Sequence, residues 1–394
     1  VGLGTARPSR LLNNHHRLRR RPALLRLAYS PAERSTWLRP RVHAPRLRAL
    51  PSLRAVLASL GAGFSSTEKL ILSAGINQEN AFGTGTSIGL NFALGKVNQS
   101  LAISQYDPYF TENGISRYTD LFYRSSKPLY YVGDTGYQIK SVGTNLKFGV
   151  PYTEVDRVFF GSGFEMYEIN VTPNTPQPYQ DYANAWGVRT PPGGRVQTYN
   201  IPATVGWARD GRDSALIPSK GSLQRLSGEV GTPLGNLLFY QLNAQFQQYY
   251  SFSKGNILSF NGEIGYGEAY GNKPYPITKN YFVGGLGSVR GFQQSTLGPS
   301  DSSNTLYLGG AKKIVLNAEL LAPFPGAGND RTLRLFAFTD VGRAFGENEK
   351  ISLSELRSSA GIGLSWISPM GPLRFSYAMP IKRQVADKIQ RLQF

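Results

Sequence analysis

Tyr240-Gln241-Leu242-Asn243-Ala244-Gln245-Phe246-Gln247 alternates strictly between apolar and polar side chains. Successive side chains of an extended chain leave opposite faces. The stretch therefore carries Tyr, Leu, Ala and Phe on one side and Gln, Asn, Gln and Gln on the other, the signature of a strand with two unlike faces. The next apolar run repeats it, with Leu258, Phe260, Ile264 and Tyr266 set against Ser259, Asn261, Glu263 and Gly265. Ile88, Leu90, Phe92 and Leu94 alternate with Ser87, Gly89, Asn91 and Ala93, and Leu373, Phe375 and Tyr377 with Arg374, Ser376 and Ala378. Alternation alone fits two architectures. A soluble sandwich buries the apolar face and wets the other. A membrane barrel turns the apolar face to lipid and the polar face to its lumen.

Strand length and number favour the second. Many runs reach nine to fourteen residues, longer than the usual soluble strand. Working outward gives sixteen strands, near 59–65, 68–76, 84–95, 99–106, 115–126, 137–148, 156–169, 202–209, 220–232, 237–252, 257–269, 304–321, 331–343, 356–367, 371–380 and 387–394. An even number returns both ends of an antiparallel barrel to one side. Short turns such as Ser253-Lys254-Gly255-Asn256 alternate with longer connections at 170–201, 270–303 and 344–355, as expected of periplasmic turns and external loops; 210–219 is a longer link on the short side. The expected fold is all-β, a 16-stranded antiparallel transmembrane β-barrel spanning residues 58–394. No apolar run is long enough for a transmembrane helix.

Charge marks off the start of the chain. The 394 residues carry 43 basic and 25 acidic side chains, a formal net charge of +18. Thirteen arginines, no lysine, one acid (Glu33) and all three histidines lie in residues 1–55. Residues 1–57 read as an Arg/Pro/Leu-rich segment, disordered or translated out of frame. The high charge is thus mainly a property of this segment and does not argue for a nucleic-acid partner of the whole chain. The segment has no uninterrupted apolar core of the kind a signal peptide needs. There is no cysteine, which excludes disulfides, thiolate metal sites and a cysteine nucleophile. No paired-acid or metal-ligand motif singles out a catalytic set, so neither an enzyme nor a cofactor is expected.

The connection 270–303 contains Tyr281-Phe282-Val283-Gly284-Gly285-Leu286-Gly287-Ser288-Val289-Arg290-Gly291-Phe292. Glycines permit close backbone approach, and an arginine among apolar residues calls for acidic partners. Further on stand Phe338-Thr339-Asp340-Val341-Gly342 and Gly371-Pro372-Leu373-Arg374-Phe375-Ser376-Tyr377-Ala378, and earlier Asp107-Pro108-Tyr109-Phe110. These motifs, in this order, resemble the BamA family of outer-membrane barrel-assembly factors, within a superfamily that also contains two-partner secretion transporters. The resemblance covers roughly residues 58–394 and rests on Gly284, Gly285, Val289, Arg290, Gly291 and Phe292.

The resemblance implies that the Gly-rich loop folds inward and that Arg290 contacts Asp340 with Glu319 nearby, on strands that also carry Phe338 and Gly342. It implies insertion and folding of barrel proteins in the bacterial outer membrane, through a lateral seam between the first and last strands. Gly61 and Gly63 would weaken the first edge of that seam and Phe394 would end the other. Implied partners are unfolded outer-membrane clients, the lipid bilayer and, in the full-length family, assembly lipoproteins. Nothing resembling the family's POTRA domains precedes residue 58, and the last strand stops early. A polypeptide-secretion pore and a passive porin-like channel remain open alternatives.

Overall fold

The structure is a computed structural model. It describes residues 56–65, 68–127, 138–171, 175, 177–190, 195–215, 217–253, 255–301, 306–326, 332–368 and 371–394. The Arg/Pro/Leu-rich segment therefore lies outside the described residues except for its last two positions, which open the first strand.

Sixteen strands follow one another in an antiparallel row. They begin with β1 (Val56–Ser65), β2 (Lys69–Gln78), β3 (Ser87–Leu94), β4 (Asn98–Asp107), β5 (Ser116–Ser126) and β6 (Ile139–Pro151). The middle of the row is β7 (Asp156–Asn170), β8 (Pro202–Asp210), β9 (Gly221–Gly231), β10 (Phe239–Ser253) and β11 (Asn256–Ala269). It ends with β12 (Lys312–Pro323), β13 (Leu333–Phe345), β14 (Arg357–Ser368), β15 (Gly371–Lys382) and the two-residue β16 (Leu392–Gln393). Each strand pairs with the next.

The period-two pattern settles which face is which. Leu242, Phe246, Ile264, Leu316 and Leu320 are exposed on the outer face. The opposite face carries Gln241, Asn243, Gln245, Asn261 and Asn317, with the long connection between β11 and β12 lying against it. Apolar side chains outward and amides inward is the inverted arrangement that suits a sheet surrounded by lipid.

Two expectations about the ends of the sheet need correction. The row is not closed by strand pairing: among the described residues β1 pairs only with β2, and β16 only with β15. The expected strand 387–394 is also broken. Ile389–Gln390 leaves the sheet to pair with Gly291–Phe292 of the loop, and only Leu392–Gln393 returns to β15. The last residues thus divide their backbone hydrogen bonds between sheet and loop, which leaves little edge to meet β1.

The connection 170–201, expected as an external loop, holds α1 (Gln177–Trp186) and the antiparallel pair Val188–Thr190 and Arg195–Asn200. Tyr179, Tyr182, Ala183 and Trp186 recur at helical spacing and are buried, so this short helix is held by one apolar stripe. The three aromatics pack with Leu237, Phe239, Ile277 and Leu306, and the Trp186 indole donates to Pro274 O at 2.9 Å. The strand expected to start at 304 starts at Lys312, because the residues before it belong to the loop: Tyr281 bridges Gly310 and Ser300 bridges Tyr307.

Candidate functional site: the docked loop

The loop between β11 and β12 turns sharply at Gly284 and Gly285, whose φ values are +112° and +94°. Only glycine adopts such angles without strain. The turn is closed by Gly285 N donating to Val289 O (3.0 Å) and Ser288 N to Gly285 O (3.1 Å). It presents Val289 and Arg290 to β12 and β13. Val283, Val289, Phe292 and Leu297 form a buried cluster with Val315 and Ala344 of those strands. Gly342 makes the room. A β-carbon there would sit 2.6 Å from Ile314 O and 2.9 Å from Val289 Cγ2, closer than packed atoms tolerate.

Arg290 is the centre of the site. Its Nε donates to Asp340 Oδ2 at 2.7 Å and its Nη2 to Oδ1 at 2.6 Å, while its backbone N–H reaches Oδ2 at 3.0 Å. Nη1 lies 2.6 Å from Glu319 Oε1. The guanidinium stacks 3.5 Å from the centroid of Phe338. Its rigid fork suits such two-sided recognition of carboxylates. The site is dry: Arg290 is 3% exposed and Asp340 0%. Burial works against the arginine's charge, yet the Asp340 and Glu319 carboxylates outweigh it and hold the proton more tightly than usual. Removing one partner of such a buried pair typically costs about 3–5 kcal/mol.

Four contributors were not legible as site residues. Asn317 faces Asp340 across the β12–β13 register and Asn261 across β11–β12. Its amide donates to Asp340 Oδ1 (2.8 Å) and Ser288 O (2.6 Å), and its oxygen accepts from Asn261 at 3.0 Å. The signal for it was present: Asn317 lies two residues before Glu319, on the same strand face. Arg374 of β15 donates to both oxygens of Glu319 at 2.6 Å and stacks over Phe336. Glu319 is thereby shared by two guanidiniums. Gln393 is 1% exposed and donates to Phe292 O at 2.6 Å, and Gly291 N donates to its side chain at 3.4 Å. Lys279, at the entry of the loop, contacts Glu165 and Glu229.

The structure brings the loop motif together with Glu319, Phe338, Asp340 and Gly342. The seam residues stand apart. Gly61 and Gly63 face Ser73 and Ile71 within the β1–β2 pair. A side chain at Gly63 would meet open space, so packing does not require glycine there. Phe394 rests against Phe375 of β15, with ring centroids 6.2 Å apart.

An inverted antiparallel sheet with a buried arginine loop against its inner face defines an outer-membrane β-sheet protein. The Omp85 superfamily domain matches residues 80–394, and the chain belongs to that superfamily and to the outer membrane. It is 35% identical over 364 residues to the outer membrane protein assembly factor BamA of Neisseria meningitidis, covering 85% of this chain and 46% of that protein. The chain thus spans less than half the length of this relative. BamA from Haemophilus ducreyi lacking POTRA domains 1–3 superposes with a TM-score of 0.76 at 26% identity, over 86% of this chain and 69% of that one. CdiB from Escherichia coli shares the fold, with a TM-score of 0.54 at 13% identity over 87% of this chain and 62% of that one.

Proposed function

We propose that this chain is the membrane sheet of an outer-membrane protein assembly factor, which inserts and folds other β-barrel proteins in the bacterial outer membrane. The observation that carries the reading is the pair of sheet edges at β1 and β16, left unjoined among the described residues beside a loop that grips the last strand through Gln393. In the bilayer the curved row closes into a barrel whose weak seam lies between these edges. An unpaired strand edge is costly in lipid and is a template for adding a strand. A client's own unpaired edge is accepted there by β-augmentation. Gly61 and Gly63 keep the β1 side pliable, and Phe394 marks the other side.

This activity needs no covalent chemistry. Among the described residues no group of His, Asp or Glu has metal-holding geometry. The partners are unfolded outer-membrane clients and the lipid bilayer, with assembly lipoproteins engaged by the whole protein. Depletion of the full-length gene, followed by quantitation of folded outer-membrane proteins, tests the reading. General loss of folded clients is expected; unchanged levels contradict it. A cysteine pair across the seam, one in β1 and one in the last strand, tests it: disulfide closure should stop client folding, and full activity in the crosslinked protein would remove the seam from the mechanism.

A further inference from the structure

The loop is held at a second place, at its other end. The Lys279 ammonium lies 2.8 Å from Glu165 Oε2 on β7 and 2.7 Å from Glu229 Oε1 on β9. Its side chain is 10% exposed. Asn200 donates to the same two carboxylate oxygens, at 2.9 Å and 3.5 Å, and the Tyr167 hydroxyl donates to Glu165 at 2.8 Å. The rings of Phe239 and Tyr167 lie 5.2 and 5.7 Å from the ammonium. The Lys279 carbonyl is held as well, accepting from Gln241 at 3.2 Å and from the Tyr275 hydroxyl at 3.3 Å. The ammonium, the carbonyl and the backbone N–H, which donates to Pro276 O at 2.9 Å, are all engaged. That distinguishes it from exposed ion pairs, which contribute little.

Two carboxylates from strands separated by β8 converge on this cation. Like charges that close repel when nothing stands between them. The lysine therefore does more than decorate the loop: it makes the approach of Glu165 and Glu229 favourable. Arg290 does the same for Asp340 and Glu319 on β13 and β12. Between the two cations the chain turns tightly and is pinned by the Tyr281–Gly310 bridge and by the Tyr281 hydroxyl donating to Asn243 at 2.7 Å.

We infer that Lys279 is a second anchor of the loop, independent of the Arg290 site, that turns the loop from a tethered arm into a strut between β7–β9 and β12–β13. A loop with one anchor pivots about it. A loop with two fixes both its own angle and the spacing of the strands it joins. The functional consequence rests on the proposed assembly activity; the strut itself does not.

The test uses the whole protein in outer membranes with two cleavage sites read separately. Chymotrypsin reports the loop near Lys279, after Phe282, and trypsin reports it after Arg290. Lys279→Met should raise cleavage after Phe282 by about tenfold or more while Arg290 stays protected. Lys279→Arg should restore protection. Unchanged protection after Phe282 in the Met variant would overturn the second anchor, and so would equal exposure of both sites, which would mean the loop releases as one unit. If Lys279→Met does not accumulate, Glu229→Gln takes its place, with a smaller rise expected at Phe282 and none at Arg290; wild-type protection there overturns the inference. Client folding is measured in the same membranes and is expected to slow in Lys279→Met and recover in Lys279→Arg. Loss of protection without a change in client folding would leave the strut standing and contradict its link to assembly.

Discussion

The inner face of the sheet has two halves with different relations to the loop. From β7 onward the loop is bonded to the wall: Lys279 to β7 and β9, Tyr281 to β10, and Arg290 to β12 and β13. Arg374 carries the Arg290 site to β15 by sharing Glu319, and Gln393 carries it to β16. On the side of β4, β5 and β6 the wall faces the loop across a cavity of about 790 Å³, lined by Ser100, Arg124 and Ser141 on one side and Phe282, Gln294 and Ser295 on the other. The outermost strand of this half, β1, leaves Leu60 90% exposed and pairs with β2 alone among the described residues. One half is braced through buried charge. The other is held chiefly by its own ladder. The proposed seam between β1 and β16 would therefore join unequal neighbours, with the loop-braced strands on one side and the β1 half, held by its own ladder, on the other.

Breaking the brace at its strongest point should have the largest effect. Arg290→Ala leaves Asp340 buried without its cation, and loop docking should weaken by about 3–5 kcal/mol, read as loss of protease protection with most of the folded protein still present. Alkaline titration removes the other anchor. Burial alone would lower the Lys279 value, but the Tyr167 phenol oxygen and the Glu229 and Glu165 carboxylates together outweigh it and hold the value above that of an ordinary lysine. A raised folded value means that the contribution is complete below the unfolded value, about pH 10.4. It is lost as pH rises through the folded value. Loop protection near Phe282 should therefore be flat from neutral pH to about 10 and fall only above that range; a decline centred near pH 7 would contradict the assignment.

Smaller changes refine the comparison. Asn317→Ala removes hydrogen bonds to Asp340 and to Ser288 O, and should cost about 1–3 kcal/mol of loop docking, measured by the same protection assay. The half facing the cavity should respond only locally. Glu68 accepts from Val97 N at 2.9 Å and from the Asn98 side chain at 2.6 Å. Glu68→Ala should cost about 0.5–1.5 kcal/mol, visible as faster amide exchange at the β3–β4 turn with loop protection unchanged.

The sheet was largely legible because alternation is a local signal. Strand β11 starts at Asn256 where the pattern placed 257, and β10 ends at Ser253 where it placed 252. The motif residues, Asp340 and Glu319 were legible through resemblance. Asn317 was overlooked because an amide on a polar face looks like any other wet residue; only the register that sets it beside Asp340 gives it a role. Lys279 carried no local signal, since its partners lie 114 and 50 residues away. The helix at 177–186 was hidden by its Pro- and Asn-rich surroundings, and its apolar stripe has meaning only against Ile277 and Leu306. The divided last strand depends on a contact between Gln393 and Phe292, 101 residues apart. Strands follow from neighbouring side chains, while the brace follows from charges brought together by the completed sheet.

The loop braces β7–β16 and not β1–β6. Amide hydrogen exchange, read by mass spectrometry on the wild type and on Arg290→Ala, tests this. Faster exchange is expected in the loop and in β12, β13 and β15, with β2–β5 unchanged. Equal acceleration in both halves, or none in β12 and β13, would contradict it.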